Sequence, residues 1–281
     1  MSDKRKWVEI SDACESHRFG SLSLSLTEAG VANEHTLIEC APDKLEGKLQ
    51  EALLEFDNVR IGGVLREEIP KIYPRMPSTL LSLRSADAMV REGGEWWPRN
   101  FLIEGMNKLI VSDLKDLDLG GAIFVLGATP EARAAIAAFA RFGFSRFTLS
   151  DPDIQRGQKF VDELRTLYFK VQFQFAPRHM ITQLPSIHSA AINTLKLGRD
   201  DGALSELFYF NFLKPGGAWL DLPLVLRNTG LDAEALAVGA QVIGGARLAS
   251  VVDGLWAKTA FGVELDLGAY EARLDTKPTA L

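Results

Sequence analysis

The segment 120–151 constrains the fold of this chain more than any other part of the sequence. An apolar run at 122–126 is followed by Gly127, by an alanine-rich stretch with helical spacing, and by a second apolar run that ends at Asp151. This order is typical of a parallel βαβ unit, in which a dinucleotide binds at the first turn and an acid after the second strand holds a ribose. We therefore predict strands at 122–126 and 146–150, joined by a helix that begins at Pro130.

The turn after the first strand departs from the usual glycine pattern. Thr129 occupies the place of a second glycine, which normally lets the backbone approach a pyrophosphate, and Pro130 lacks an N–H donor. Two interpretations are open: a working dinucleotide site with weakened binding, or a βαβ unit that has kept its fold and lost its ligand. If a dinucleotide binds, Asp151 favours NAD over NADP, because an acid binds a ribose 2′-hydroxyl and repels a 2′-phosphate. Residues 150–153 are also an ordinary turn or helix-start sequence.

Composition narrows the classes of function. The 281 residues, 47% of them hydrophobic, fit one large domain or two moderate ones. The net charge of −6 and the absence of a basic stripe disfavour nucleic-acid binding. No apolar run reaches the roughly 18 residues of a membrane span, and the N-terminus lacks the apolar region of a signal peptide. The two cysteines and four scattered histidines have no metal-site spacing, so we predict no metal and a reduced, cytoplasmic setting.

Strand and helix signals alternate along the rest of the chain. We predict further strands near 37–42, 59–65, 169–175, 188–193 and 218–222, and helices over 43–56 (with Asp43 as its N-cap), 105–117, 246–258 and 267–274. This alternation predicts an α/β fold with a Rossmann-like, doubly wound parallel sheet, whose ligands bind at the carboxyl ends of the strands.

Three segments carry a family resemblance. Residues 127–133 read Gly-Ala-Thr-Pro-Glu-Ala-Arg, residues 193–198 read Asn-Thr-Leu-Lys-Leu-Gly, and residues 221–229 begin Asp-Leu-Pro-Leu. In order and spacing, the chain resembles the shikimate dehydrogenases and their quinate-dehydrogenase relatives, most strongly over 120–262. The resemblance implies two domains: an N-terminal α/β substrate-binding domain of residues 1–104, completed by C-terminal helices within 246–281, and a dinucleotide-binding domain of residues 105–245.

The resemblance also implies site residues. A lysine and a carboxylate would take up the hydroxyl proton during hydride transfer, and an arginine suits a substrate carboxylate through a bidentate contact. The implied catalytic residues are Lys71 and Glu104; the implied substrate-binding residues are Ser16, Arg18 and Asp253; the implied cofactor-binding residues are Gly127, Ala128, Thr129, Arg133, Asp151 and Asn193.

Several polar positions of the family are lost. Leu102, Leu224 and Val252 stand where the family carries asparagine, tyrosine and glutamine. A site without hydroxyl-specific partners discriminates poorly in favour of a polyhydroxy substrate, so shikimate itself is not expected to be the substrate. The sequence therefore predicts an NAD(P)-dependent oxidoreductase for a small hydroxy or oxo acid, of open oligomeric state. The alternative is a non-catalytic relative that binds a metabolite or a protein partner. The methylene-tetrahydrofolate dehydrogenases share the two-domain plan, but their motifs are not visible here.

Overall fold

The computed structural model describes residues 4–13, 15–73, 75–197, 201–224 and 230–275. The chain divides into two compact units. The terminal unit comprises Met1–Gly105 and Ala249–Leu281, and the central unit comprises Met106–Leu248. Each unit contains its own sheet flanked by helices, so the predicted α/β class is confirmed.

The terminal unit is built on a five-stranded sheet. Its strands are β1 (Arg5–Ser11), β2 (Asn33–Glu39), β3 (Asn58–Ile61), β4 (Ala88–Glu92) and β5 (Glu95–Arg99), in the order β2-β1-β3-β4-β5. The first three are parallel, and β4 and β5 form an antiparallel hairpin beside β3. Its helices are α1 (Ser16–Glu28), α2 (Leu45–Glu55), α3 (Ile69–Ile72) and α4 (Ser78–Leu83), together with α5 (Phe101–Ser112) and α10 (Gly245–Phe261), which run across the unit boundaries, and α11 (Leu267–Asp275).

Two predicted helices of this unit begin at other residues. The turn Pro42–Lys44 is a 3-10 helix and α2 begins only at Leu45, so Asp43 does not cap it. Helix α5 begins before the predicted residue 105, because the buried carboxylate of Asp87 accepts the backbone N–H groups of Phe101 and Leu102, each at 2.7 Å. The free N–H donors at the start of this helix are thus satisfied by a side chain distant in sequence, and no local sequence pattern predicts such a cap.

The central unit is a six-stranded, entirely parallel sheet. Its elements are β6 (Ala122–Leu126), α6 (Pro130–Phe142), β7 (Arg146–Ser150), α7 (Ile154–Leu167), β8 (Gln172–Phe175), β9 (His188–Asn193), α8 (Gly202–Leu207), β10 (Leu213–Asp221), α9 (Leu231–Ala237) and β11 (Gln241–Gly244). The order β11-β10-β9-β6-β7-β8 reverses between β6 and β9, so the carboxyl ends of these two strands form the topological switch point. The predicted strands at 122–126, 146–150 and 188–193 are confirmed.

Helix α6 begins and ends as its sequence predicts. Thr129 is its N-cap, with its hydroxyl oxygen accepting the N–H of Ala132 at 3.1 Å, and Pro130 is its first residue. Gly143 ends it in the left-handed region, at φ +117°. Within the described ranges, no helix is both long and apolar enough to cross a membrane.

The fully buried His188 links three strands of the central sheet. One ring nitrogen lies 3.1 Å from the carbonyl oxygen of Phe212 and the other 3.0 Å from the hydroxyl of Thr148. Burial lowers the pKa of His188 below its usual value of 6.5.

We expect this histidine to make the protein less stable in acid. Below about pH 6.5 the unfolded chain takes up a proton that the native state refuses, which costs up to ~1.4 kcal/mol per pH unit. Urea unfolding of the native protein and of His188→Gln at pH 7.0 and 5.5 tests this: the loss of stability on acidification should be smaller in the variant. Equal losses would contradict it.

Candidate functional site

Gly127 occupies the switch point, directly after β6. Its φ of +106° lies in the left-handed region, and a Cβ there would collide with Thr194 Oγ1 and Leu195 Cδ2. Its N–H donates to the carbonyl of Ser150 at 2.8 Å. Both conformation and close approach therefore require glycine, as in a dinucleotide-binding turn.

The donors of this turn are largely used within the chain. The N–H of Ala128 donates to Asp151 Oδ2 at 2.7 Å, the N–H of Ala132 donates to Thr129, and Pro130 has none. The positive end of the α6 dipole remains. Fewer N–H groups than in a glycine-rich turn are consequently left for a phosphate.

Asp151 is a buried acid whose two carboxylate oxygens both accept hydrogen bonds from within the chain. Its carboxylate, 1% exposed, also accepts the N–H of Asp153 at 2.8 Å and the guanidinium of Arg156 on both oxygens, at 2.8 to 3.2 Å. The sequence predicts that this acid repels a 2′-phosphate. In the structure, Arg156 balances the charge of Asp151, and the side chain of Arg156 is 52% exposed.

Two other predicted cofactor residues also have internal partners. The buried guanidinium of Arg133 lies 3.1 Å from Glu163 and 4.7 Å from the ring centre of Phe160, so it joins α6 to α7. Asn193, at the end of β9, donates to Asp221 Oδ1 at 2.7 Å and exchanges two hydrogen bonds with the backbone of Leu195. These contacts give both residues structural roles beside any role in binding.

Asp221 was not among the predicted site residues. It ends β10 beside Asn193, and burial raises its pKa to about 6 against the opposing hydrogen bond from that asparagine. A largely buried acid at the carboxyl edge of a parallel sheet is a functional-site candidate. Its sequence signal is an aspartate that directly follows an apolar run.

The predicted catalytic residues do not pair with each other. Lys71 Nζ lies 2.7 Å from Glu68 Oε1, one turn earlier on the chain, and its side chain is 63% exposed. Glu104 Oε1 lies 2.9 Å from Arg99 Nη2. The predicted contact between Lys71 and Glu104 is not seen among the described ion pairs, where each charge has another partner. Their catalytic roles stay predictions.

Among the predicted substrate residues, the structure brings Arg18 and Asp253 together. Arg18 Nε and Nη2 donate to the two oxygens of Asp253 at 2.9 and 2.8 Å, a bidentate contact between α1 and α10. Ser16 is the first residue of α1, and its side chain lies outside the described part of the structure. The predicted carboxylate clamp is thus filled by a carboxylate of the chain itself.

Asp253 is the centre of a buried charge cluster that the sequence did not reveal. Beyond Arg18, it accepts the hydroxyl of Tyr270 at 2.7 Å and forms an ion pair with Arg60 Nη1 at 2.7 Å. Arg60 is also 3.4 Å from Glu9 Oε2. We call these five residues the Asp253 cluster. An arginine in the short buried strand β3 is its one sequence signal.

The cluster shifts the acidity of both its carboxyl groups. Burial opposes ionisation of the wholly buried Asp253, but Arg18 and Arg60 outweigh it, so the pKa of Asp253 is lowered. Burial dominates at Glu9 and raises its pKa to about 7 despite the charge of Arg60. Arg60 is flanked by aromatic rings, with ring centres at 5.4 Å for Phe19 and 4.9 Å for Trp256.

Comparisons with known proteins agree with this architecture. No family model matches the chain. The shikimate dehydrogenase (NADP(+)) of Geobacter metallireducens is 27% identical over 157 residues, covering 54% of this chain and 53% of that protein. The match thus spans about half the length of that relative. The quinate dehydrogenase from Corynebacterium glutamicum, solved in complex with NAD, has a TM-score of 0.80 at 16% identity, over 97% of this chain and 99% of that one.

The chain is thus similar in sequence to a shikimate dehydrogenase over about half of its length, and it shares the fold of the quinate dehydrogenase over nearly all of it. A further similar structure, 5-ketofructose reductase of Gluconobacter sp. strain CHM43, has a TM-score of 0.78 at 14% identity, over 98% of this chain and 99% of that one.

Positions that are polar in the shikimate dehydrogenase family serve packing here. Leu102 and Val252 are buried, and Val252 lies so close to Gly105 that a Cβ on that glycine would collide with it. Residues 198 and 225–229 of the family segments lie outside the described residues. Among the residues that are described, no group of three or more His, Cys, Asp or Glu side chains is arranged to hold a metal ion.

We expect Asp253→Asn to destabilise the protein by about 3–5 kcal/mol, because removing one partner of a buried ion pair leaves the other charges uncompensated. Urea unfolding followed by tryptophan fluorescence measures this. Glu95→Gln, which breaks the exposed pair with Arg75 in the same unit, is the control and should cost at most about 1 kcal/mol. Similar losses in both variants would refute a special role for the Asp253 cluster.

Proposed function

We propose that this protein is an oxidoreductase that transfers a hydride between a nicotinamide dinucleotide and a small hydroxy or oxo compound. The observation that carries the proposal is Gly127 at the switch point of a parallel sheet, where both its φ and the approach of Thr194 require glycine. Ligands of such sheets bind at this crevice. The central unit would then hold the dinucleotide and the terminal unit the substrate.

The residues at the switch point fit a dinucleotide in part. The backbone of Gly127, Ala128 and Thr129 would face the pyrophosphate at the positive end of α6, and Asn193 would lie on the nicotinamide side. The hydrogen bond from Ala128 to Asp151 removes one donor, so we expect weak binding. A bound nicotinamide would supply or accept the hydride.

For the preference between cofactors, we propose NAD over NADP by a small margin. Asp151 supports NAD, but its pairing with Arg156 offsets the repulsion of a 2′-phosphate. The relatives give no single answer, since the Geobacter protein is named for NADP and the Corynebacterium enzyme was solved with NAD.

Arg156→Ala should weaken NADP binding about tenfold more than NAD binding, because the variant leaves the charge of Asp151 unbalanced; tenfold corresponds to about 1.4 kcal/mol. Calorimetric titration of both cofactors measures this. Arg165→Ala, on the same helix and half exposed, is the matched control and should change neither affinity. Equal losses of NAD and NADP binding in Arg156→Ala would reject the electrostatic argument.

The proton that accompanies hydride transfer needs an acceptor, and the family resemblance proposes Lys71 with Glu104. If Lys71 has this role, Lys71→Ala abolishes turnover while cofactor affinity stays within about twofold, the signature of a group used in the chemical step. Lys48→Ala is the control, because Lys48 forms the same kind of i,i+3 pair, with Glu51 at 2.6 Å. Full activity in Lys71→Ala would remove Lys71 from the mechanism.

The second candidate function is a non-catalytic binding protein. The hydrogen bond between Ala128 and Asp151 favours it, because the chain itself occupies a donor of the phosphate turn. Titration of the native protein with NAD and NADP separates the two. Failure to bind either at millimolar concentration would reject the oxidoreductase and leave the binding protein.

The sequence predicts an acid as the substrate, and that prediction depends on Arg18 as a carboxylate clamp. The neighbour named 5-ketofructose reductase shares the fold, and a keto sugar of that kind carries no carboxylate. The architecture is therefore compatible with neutral substrates as well as acids.

A further inference from the structure

We propose that the terminal unit selects a neutral hydroxy or oxo ligand and rejects carboxylates, because Asp253 already occupies the arginine fork that a ligand carboxylate would need. The inference rests on the proposed function, of which it specifies the substrate class. It concerns only residues of the terminal unit.

All three nitrogens of the Arg18 guanidinium already face an acid of the chain, so none of its edges is left for a ligand carboxylate. Its two parallel donors, Nε and Nη2, both bind Asp253, and its third nitrogen, Nη1, lies 3.6 Å from Glu15 Oε2. The side chain of Arg18 is 12% exposed. A planar guanidinium recognises one carboxylate per fork, so a ligand acid would have to displace an acid of the protein.

Asp253 is held too firmly to be displaced. It is fully buried and is contacted from three directions: by Arg18 on α1, by Arg60 on β3 and by Tyr270 on α11. The arginines keep it ionised despite its burial. Withdrawing this carboxylate would leave two buried guanidinium groups with only their longer ion pairs, at 3.6 Å to Glu15 and 3.4 Å to Glu9, which is costly in a buried site.

Two further arginines of this unit, Arg60 and Arg66, also lie near buried acids. Arg60 lies between Asp253 and Glu9. Arg66 donates through Nε to the carbonyl of Ile61, and its charge lowers the pKa of Asp87 and of Glu9 against the burial that raises them. A ligand carboxylate placed here would be repelled by these acids, because the nearby arginines already pair with them.

The polar atoms at the ends of β1 and β3 already have partners within the chain. Ser11 Oγ donates to the carbonyl of Ala13 at 3.1 Å and accepts its N–H at 3.2 Å, and the buried Glu9 lies 3.4 Å from Arg60. A Cβ on Gly62 would collide with Glu9 Oε1 and Ser11 Oγ, so the backbone packs directly against both side chains. Neither side chain offers a ligand carboxylate a positive charge, which agrees with a neutral ligand.

The first test compares acids with neutral compounds as substrates of the native protein. Shikimate and quinate represent the acids; myo-inositol, D-fructose and 5-ketofructose represent the neutral class, each assayed with both nicotinamide cofactors in the direction its oxidation state allows. We expect kcat/KM at least tenfold higher for the best neutral compound than for either acid. Faster turnover of an acid would overturn the inference and leave the proposed function standing.

The second test does not depend on turnover, so it decides the inference even if no compound reacts and the proposed function fails. Melting temperatures are measured with sodium acetate, sodium quinate and sodium chloride at equal ionic strength. In the native protein the carboxylates should add nothing beyond chloride. In Asp253→Ala, acetate should raise the melting temperature by several degrees, because it restores the missing counter-charge to the fork.

One result overturns the inference whether or not Asp253→Ala folds. This is stabilisation of the native protein by quinate that is lost in Arg18→Ala and kept in Arg75→Ala, whose arginine forms an exposed pair elsewhere in the unit. Such a result would show that Arg18 takes a ligand carboxylate.

Discussion

The buried carboxylate of Asp253 is the interaction on which the terminal unit depends. It accepts a bidentate contact from Arg18 on α1 and the hydroxyl of Tyr270 on α11, it forms an ion pair with Arg60 on β3, and it stands on α10 itself. Buried charges are costly unless each finds a partner, so the positions of these four elements are fixed relative to one another. The aromatic rings around Arg60 exclude water and strengthen the charge interactions.

The two units share one departure from a simple ligand-binding site. In each, an acid of the chain sits where the sequence predicts a ligand contact: Asp253 in the arginine fork of the terminal unit and Asp151 on the phosphate turn of the central unit. Both acids are almost completely buried and both meet an arginine. The chain thus has the fold of the shikimate and quinate dehydrogenases, while two of its predicted ligand contacts are made by acids of the chain itself.

The fold was more predictable than the site. The strands at 122–126 and 146–150 were found from sequence because an apolar run between a glycine turn and a helix is a local pattern. The start of α5 was missed because its cap is Asp87, on the far side of a hairpin. The sequence selected Arg18 and Asp253 through the family resemblance, but no pattern shows that residues 235 positions apart bind each other. The family resemblance gave Lys71 the distant Glu104 as its partner, whereas in the structure Lys71 pairs with Glu68, one turn earlier.

The placement of Asp253 also has a consequence for the order in which the polypeptide acquires its structure. Residues 106–248 form a continuous segment that can fold as soon as it has left the ribosome, whereas the terminal unit is discontinuous. Its strands β1 and β3 bring Glu9 and Arg60 together in a buried position, but Asp253, which pairs with both Arg60 and Arg18, follows only with α10. The first hundred residues therefore lack part of their own unit until the whole central unit has been synthesised. Closure of a 235-residue loop between Arg18 and Asp253 makes completion of the terminal unit a late, non-local event in the maturation of the nascent chain.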